Sequence, residues 1–277
     1  MRNIALLLAI GLFALSQRAF GGCESSLKLE GVVSIECCSP SDKCIPADKA
    51  AYEYTESAKS DPSELRISLH GSPWHLYDQD LRILTIEELS EIAKPQLRDG
   101  VKRIVLVASW SGVSPDHNSK SLAQKLSDLL GGFPVSGMDG FVWIAKDGSV
   151  RTTHQAFTIV HPCPYGVHPG DEVMVSRVVG WPLEFEEDYV KKKDSEGIMR
   201  AGVGWDVYLL CPDRALQSFE AAAKLSSLTA TYNAALMHLE CGGEGDFKAA
   251  TSLLSRAAAH GDKKAEAKLQ KLTKQSH

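Results

Sequence analysis

Arg103-Ile104-Val105-Leu106-Val107-Ala108-Ser109-Trp110-Ser111-Gly112 is the stretch on which the fold turns. Its apolar run from Ile104 reads as a strand apolar on both faces, and such a strand belongs at the centre of a covered sheet. Ser109 to Asn118 then forms a polar loop. Asp99-Gly100 turns the chain into the strand. Further upstream, Leu65 to Leu69 predicts a second strand that ends on His70-Gly71. Between the two, Thr85-Ile86-Glu87-Glu88 spells a capping box, in which Thr85 accepts from the first turn and Glu88 reaches back. Leu84, Leu89 and Ile92 follow at helical spacing, and Pro95 disturbs the helix near its end. Downstream, Leu122, Ala123, Leu126, Leu129 and Leu130 share one helical face, and Gly131-Gly132 stops that helix. Pro134-Val135 and Phe141 to Ala145 are short strands, and Asp147-Gly148 is a hairpin turn. Strand, helix, strand, helix, strand predicts an α/β fold with a mostly parallel sheet flanked by helices.

Residues 151–210 carry prolines, glycines and histidines and predict loops and sheet edges, with Val203 to Leu210 as a late strand. From about Pro212 the chain turns alanine-rich and helical. Leu216 to Ser226, Ala230 to Glu240, Phe247 to His260 and Ala265 to Leu272 each have helical patterning.

At the other end, Arg2 precedes the apolar run Ile4 to Leu15, about a dozen residues, too short for the roughly 20 that span a bilayer. It matches the apolar core of a secretory signal peptide. Ala19-Phe20-Gly21 fits ordinary signal-peptidase cleavage. Phe20-Gly21-Gly22-Cys23 is similar to a bacterial lipobox, in which Cys23 carries lipid, although Phe20 stands where leucine is usual. Cysteine parity favours the second site. Setting Cys23 aside leaves Cys37, Cys38, Cys44, Cys163, Cys211 and Cys241, an even set available for disulfides in an oxidising compartment. Adjacent Cys37 and Cys38 should reach separate partners, and the connectivity stays open. No pair has C-x-x-C spacing, which argues against zinc. The chain divides into a signal peptide (1–22), a cysteine-rich arm (23–63), an α/β domain (64–210) and a helical region (211–277). With 30 basic against 35 acidic residues and a net charge of −5, nothing points to nucleic acid.

The helical region resembles a Sel-one-like repeat, a relative of the tetratricopeptide repeats, through Ala230, Ala234, Leu236, Gly242, Gly243, Asp246, Lys248, Ala249, Ala257, Ala258, Gly261 and Ala265. Small alanines let two helices approach closely, and the glycines turn the chain between them. One unit cannot bury its own face, so it should dock on the α/β domain or on a partner. In that family the repeats mediate protein contact.

Leu65 to Thr153 resembles the caspase-like fold of clan CD cysteine peptidases, most closely the bacterial relatives in toxins and surface proteins. The matching stations are His70-Gly71, Leu84 to Leu89, Val105 to Ser109, Ser111-Gly112, Leu122 to Leu126, Pro134-Val135, Val142-Trp143 and Asp147-Gly148. The resemblance implies that His70 assists proton transfer and that the Gly71 amide helps to bind an oxyanion. The family's nucleophilic cysteine falls at Ser109. A thiol carries a usable thiolate fraction near neutral pH and a serine hydroxyl does not, so the resemblance implies a pseudoenzyme.

Trp74 and Trp110 flank the expected cleft and would suit a binding surface if exposed, or fill the cleft if buried. His75, Asp78 and Asp80 stand in the loop after His70 and in principle support it. His154, His161 and His168 lie near Cys163, but their spacings and the flanking Pro162 and Pro164 favour an irregular loop over a metal site, and no metal or cofactor is assigned. Lys191-Lys192-Lys193 beside Glu186, Glu187 and Asp188 reads as a solvated face. The expectation is a periplasmic lipoprotein that binds another protein, with immunity against a secreted antibacterial effector as its setting. The alternative is a peptidase or other acyl hydrolase using Ser109 and His70.

Overall fold

The computed structural model describes residues 27, 29–35, 38, 43–98, 100–159 and 165–275. The expected signal peptide (1–22), Cys23, Cys37, His161 and Cys163 lie outside the described residues.

The first part of the chain runs β1 (Val32–Ile35), β2 (Ile45–Pro46), α1 (Ala47–Glu56), β3 (Glu64–Ser68), β4 (His70–Gly71), β5 (Leu76–Tyr77), β6 (Ile83–Leu84) and α2 (Ile86–Ala93). There follow β7 (Arg103–Val107), α3 (Leu122–Leu129), β8 (Val135–Ser136), β9 (Phe141–Ile144), β10 (Val150–Thr153), β11 (Ala156–Ile159), β12 (Gly166–Val167) and β13 (Val173–Met174). The rest is helical: α4 (Val175–Gly180), α5 (Glu186–Lys192), α6 (Ser195–Val207), α7 (Pro212–Lys224), α8 (Leu228–Cys241), α9 (Glu244–Ala259) and α10 (Lys263–Gln275).

The protein is mixed α/β. β7 lies between β3 and β8, parallel to both. Ile104 and Leu106 are fully buried in one core with Leu89, Leu122 and Leu126 of α2 and α3. Val107 points to the other face, into the larger core with Phe141 and Val142. The strand is thus covered on both faces, as its uninterrupted apolar run requires. The expected single, mostly parallel sheet is instead broken among the described residues into five small ones. Those of β10-β9-β13, β12-β2 and β4-β5-β6 are antiparallel, and β1 pairs parallel with β11. Most of these strands have two to four residues, so no ladder is long enough to build one continuous sheet.

The capping box forms as its spacing dictates: Glu88 N–H donates to Thr85 Oγ1, and Thr85 N–H donates to the Glu88 carboxylate. After α2, Lys94–Gln96 tightens into a 3-10 turn at Pro95.

Val203 to Leu210 is not a strand. Val203 to Val207 ends α6, which carries Gly197, Gly202 and Gly204. Glycine disfavours an isolated helix, so Gly197 and Gly202 fall in the expected loops and sheet edges and Gly204 in the expected strand. Packing overrides that preference. A Cβ on Gly202 would stand 2.7 Å from the Phe219 ring, and one on Gly197 would stand 2.4 Å from the Tyr189 ring. The helix lacks side chains where its neighbours approach, and the helical region of about six helices begins with α5, well before residue 211.

From α6 to α10 each helix packs on the next. Gly242 ends α8 at φ +72° and Gly261 follows α9 at φ +87°, the left-handed conformation that a side chain would strain. This region joins the larger core, in which Phe219, Tyr232, Leu236 and Leu254 meet Tyr77, Phe141 and Met174. Asn233 of α8 seals the contact: its side-chain oxygen accepts from Ile83 N–H at 2.8 Å and its amide donates to the Leu81 carbonyl at 2.9 Å. Arg82 stacks over the Tyr232 ring and pairs with Asp262. No described helix is long and apolar enough to cross a membrane.

Candidate functional site

Parallel pairing of β3 with β7 sets Ser68 beside Val107. Two residues further on, His70 and Ser109 stand at neighbouring strand tips. Gly71 is buried against the same turn, and a Cβ there would lie 3.0 Å from Ala108 Cβ and 3.3 Å from the Ser109 carbonyl oxygen. The backbone thus brings together the three residues that the sequence singled out.

Their side chains turn to other partners. Ser109 is 1% exposed. Its hydroxyl accepts from the Val142 amide at 3.0 Å and lies 2.8 Å from the Ser176 hydroxyl. The His70 ring is buried beside the Val175 backbone, and its Nδ1 is sealed from solvent without a hydrogen-bond partner. Burial, reinforced by the charge of Arg200, pushes the His70 pKa down to about 4, so the ring is neutral at physiological pH. The start of α4, at Val175 and Ser176, therefore lies against both side chains that a hydrolase would point at its substrate.

Trp110 follows Ser109 at φ +62°, a conformation uncommon for a bulky residue. It is 2% exposed, edge-on to Phe141 and against the His154 ring. It fills the core and presents no contact face. Trp74 is partly buried, with its indole nitrogen sealed.

The loop after His70 builds a different centre. His75 Nδ1 lies 2.9 Å from Asp206 Oδ2, and His75 Nε2 lies 2.7 Å from Glu240 Oε2. Ionised carboxylates only accept, so both ring nitrogens carry protons and His75 is an imidazolium. The two carboxylates overcome the burial that opposes this charge, and its pKa is raised well above 6.5. Asp206 Oδ2 also accepts from Ser72 Oγ at 2.9 Å and Tyr77 Oη at 2.8 Å. His75 thus serves Asp206 of α6 and Glu240 of α8 and does not support His70. Asp78 is engaged elsewhere, accepting from Arg82 N–H and Lys264 Nζ.

Sequence reasoning missed Asp206, Glu240 and Ser176. Asp206 did carry a signal: it is the lone acid in Gly202 to Leu210, and a carboxylate in an apolar run needs buried partners. His238 is a smaller version of the same device. Its ring contacts Asp246 at 2.8 Å and Glu220 at 2.9 Å, and the hydrogen bond to Glu220 is the first cause of its raised pKa.

Cys38 and Cys44 form a disulfide. Cys211 and Cys241, expected to be bridged, are in no disulfide among the described residues. They stand at the N-terminus of α7 and the last residue of α8. Of the described residues that could ligate a metal, Cys38, Cys44 and His168 bring their ligand atoms within 4.8 Å of one another. His154 is not among them, because it lies against Trp110.

Over residues 41–152 the chain matches a family described as a domain of unknown function, DUF8616. That range takes in the parallel sheet, His70 and Ser109, and it stops before α4, Asp206 and Glu240. No curated protein and no solved structure matches the chain.

Proposed function

We propose that this protein is an exported protein-binding module whose caspase-like domain performs no hydrolysis. The observation that carries the reading is the engagement of Ser109 by Ser176 and Val142, with the His70 ring buried and uncharged. A serine nucleophile needs a hydrogen-bonded base, and a base needs access to its proton. Here the hydroxyl accepts a backbone amide and meets Ser176, and the imidazole is buried and uncharged. The strand order of His70 and Ser109 keeps the likeness to clan CD peptidases while the side chains serve packing.

The same reading takes α8 and α9 as a Sel-one-like unit, Cys23 as the lipid-bearing residue and the periplasm as the compartment. Its partner is another protein, and a secreted antibacterial effector is the setting that fits an envelope-anchored inhibitor. Architecture supports that setting by analogy alone.

The test pairs two measurements. A fluorophosphonate probe is applied to the purified protein and to Ser109→Ala, and the expected result is no labelling that depends on Ser109. The product of the neighbouring gene is then titrated calorimetrically, with saturable binding expected. Labelling that vanishes in Ser109→Ala would overturn the reading in favour of an acyl hydrolase with His70 as base.

A further inference from the structure

We infer that the Cys38–Cys44 disulfide closes a metal site, and that its reduction opens a zinc site in which Cys38 and Cys44 supply two sulfurs and His168 one nitrogen. The inference is independent of the proposed function. It begins with backbone register. β2 and β12 pair antiparallel, with Val167 beside Ile45 and Gly166 beside Pro46. Cys44 and His168 each stand one residue beyond that ladder, and Cys44 Sγ meets His168 Nδ1 there. A Cβ on Gly166 would lie 3.5 Å from Cys38 Cβ and 3.6 Å from Cys44 Cβ, which seats both cysteines over that glycine.

The distances suit a tetrahedral ion. With Zn–S of about 2.3 Å and Zn–N of about 2.05 Å, tetrahedral angles put ligand S and N roughly 3.6 Å apart and two sulfurs roughly 3.8 Å apart. His168 Nδ1 lies 3.7 Å from Cys44 Sγ. The nitrogen is therefore already at ligand distance from Cys44, and the Cys38 sulfur lies within 4.8 Å of it. The Cys38 and Cys44 Cα atoms are 6.1 Å apart. Cutting the S–S bond frees both cysteine χ1 rotors, which lets the two sulfurs separate to share one ion. His168 is exposed, which gives an ion and a reductant a way in. Two thiolates and an imidazole select zinc over magnesium or calcium.

The chemistry balances. A dithiol reductant delivers two electrons and two protons, the S–S bond breaks, two thiols form and the reductant leaves as its own disulfide. Zn²⁺ then binds both sulfurs as thiolates and releases the two protons, with water in the fourth position.

The test uses the full chain, reduced with dithiothreitol, desalted without oxygen and titrated with Zn²⁺ against a chelating dye. Reduced protein should take up one more equivalent than oxidised protein. Co²⁺ in place of Zn²⁺ should give sulfur-to-cobalt charge-transfer absorption. Cys44→Ser should abolish the extra equivalent and Cys211→Ser should keep it. His168→Ala should weaken it about tenfold or more, since even an outer partner of a ligand is worth that much. X-ray absorption of the reduced wild type with zinc guards against variants that fail to fold, and a shell of two sulfurs with nitrogen and oxygen is expected. Equal uptake by oxidised protein, a shell without sulfur, or affinity unchanged in a folded His168→Ala would each sink the inference.

Discussion

His75 Nδ1 lies 2.9 Å from Asp206 Oδ2, across 131 residues of sequence. This contact, with the one from His75 to Glu240, ties the strand-rich part of the chain to α6 and α8. Both His75 and Asp206 are shut away from water, so each is tolerated only because the other is there.

Removing one member should therefore cost more than the pair contributes. His75→Ala leaves Asp206 charged and buried with only two hydroxyl donors, and should lower stability by about 3–5 kcal/mol. Tyr77→Phe deletes one donor to the same oxygen and should cost about 1–3 kcal/mol. Urea unfolding checks both. A His75→Ala variant as stable as the wild type would show that the centre does not hold the two parts together.

The sign of the pH dependence at His238 follows from its raised pKa. The unfolded chain releases this proton near pH 6.5 and the folded chain at a higher pH. The stabilisation is fully present below about pH 6.5 and is lost as pH rises through the folded value. The stability difference between wild type and His238→Ala should be largest near pH 6 and shrink on going alkaline. A difference that grows with pH contradicts the imidazolium bridge between Glu220 and Asp246.

His70 should show the opposite slope. Its pKa falls from 6.5 to about 4 on folding, so the unfolded chain takes up the proton first as pH drops. Stability present above pH 6.5 should be lost as pH falls through about 4, by roughly 3 kcal/mol over that interval. His70→Gln cannot titrate. The wild-type and variant stabilities, measured by urea unfolding from pH 7 to pH 4, should converge or cross; parallel curves would rule out a buried neutral ring.

Ser109 is expected to matter for stability. Ser109→Ala leaves the Val142 amide and the Ser176 hydroxyl without their buried partner and should cost about 1–3 kcal/mol. The check is a thermal or urea midpoint, compared with Ser176→Ala and the double variant. Additive single effects would mean that the two hydroxyls are not coupled.

Gly137 and Gly112 let two loop backbones touch. A Cβ on Gly137 would stand 2.4 Å from the Gly112 nitrogen. Backbone cannot swing aside as a side chain can, so Gly137→Ala should destabilise by about 3 kcal/mol or more. Gly100, where a Cβ would meet nothing within 4 Å but φ is +101°, is the comparison that separates crowding from conformational strain. Gly100→Ala should cost less, about 1 kcal/mol.

Local chemistry made much of this protein readable. The capping box at Thr85 and Glu88, the buried strand from Ile104 and the turns at Gly131 and Gly148 are each encoded by neighbours in sequence, whose preferences act over a few residues. The strand tips carrying His70 and Ser109 were readable for the same reason. α6 was not, because its glycines argue against a helix until Phe219 and Tyr189 are known to lie over them.

Neighbouring residues alone specify the strands and helices around the central strand, and the residues at their ends. What those residues touch depends on distant parts of the chain. Ser176, Asp206 and Glu240 come from helices far along the chain, and the orientation of a side chain is set by the atoms it can bond to or must avoid. A hydroxyl and an imidazole at adjacent tips are a reactive pair in one packing and two separately buried groups in another. The start of α4 selects the second.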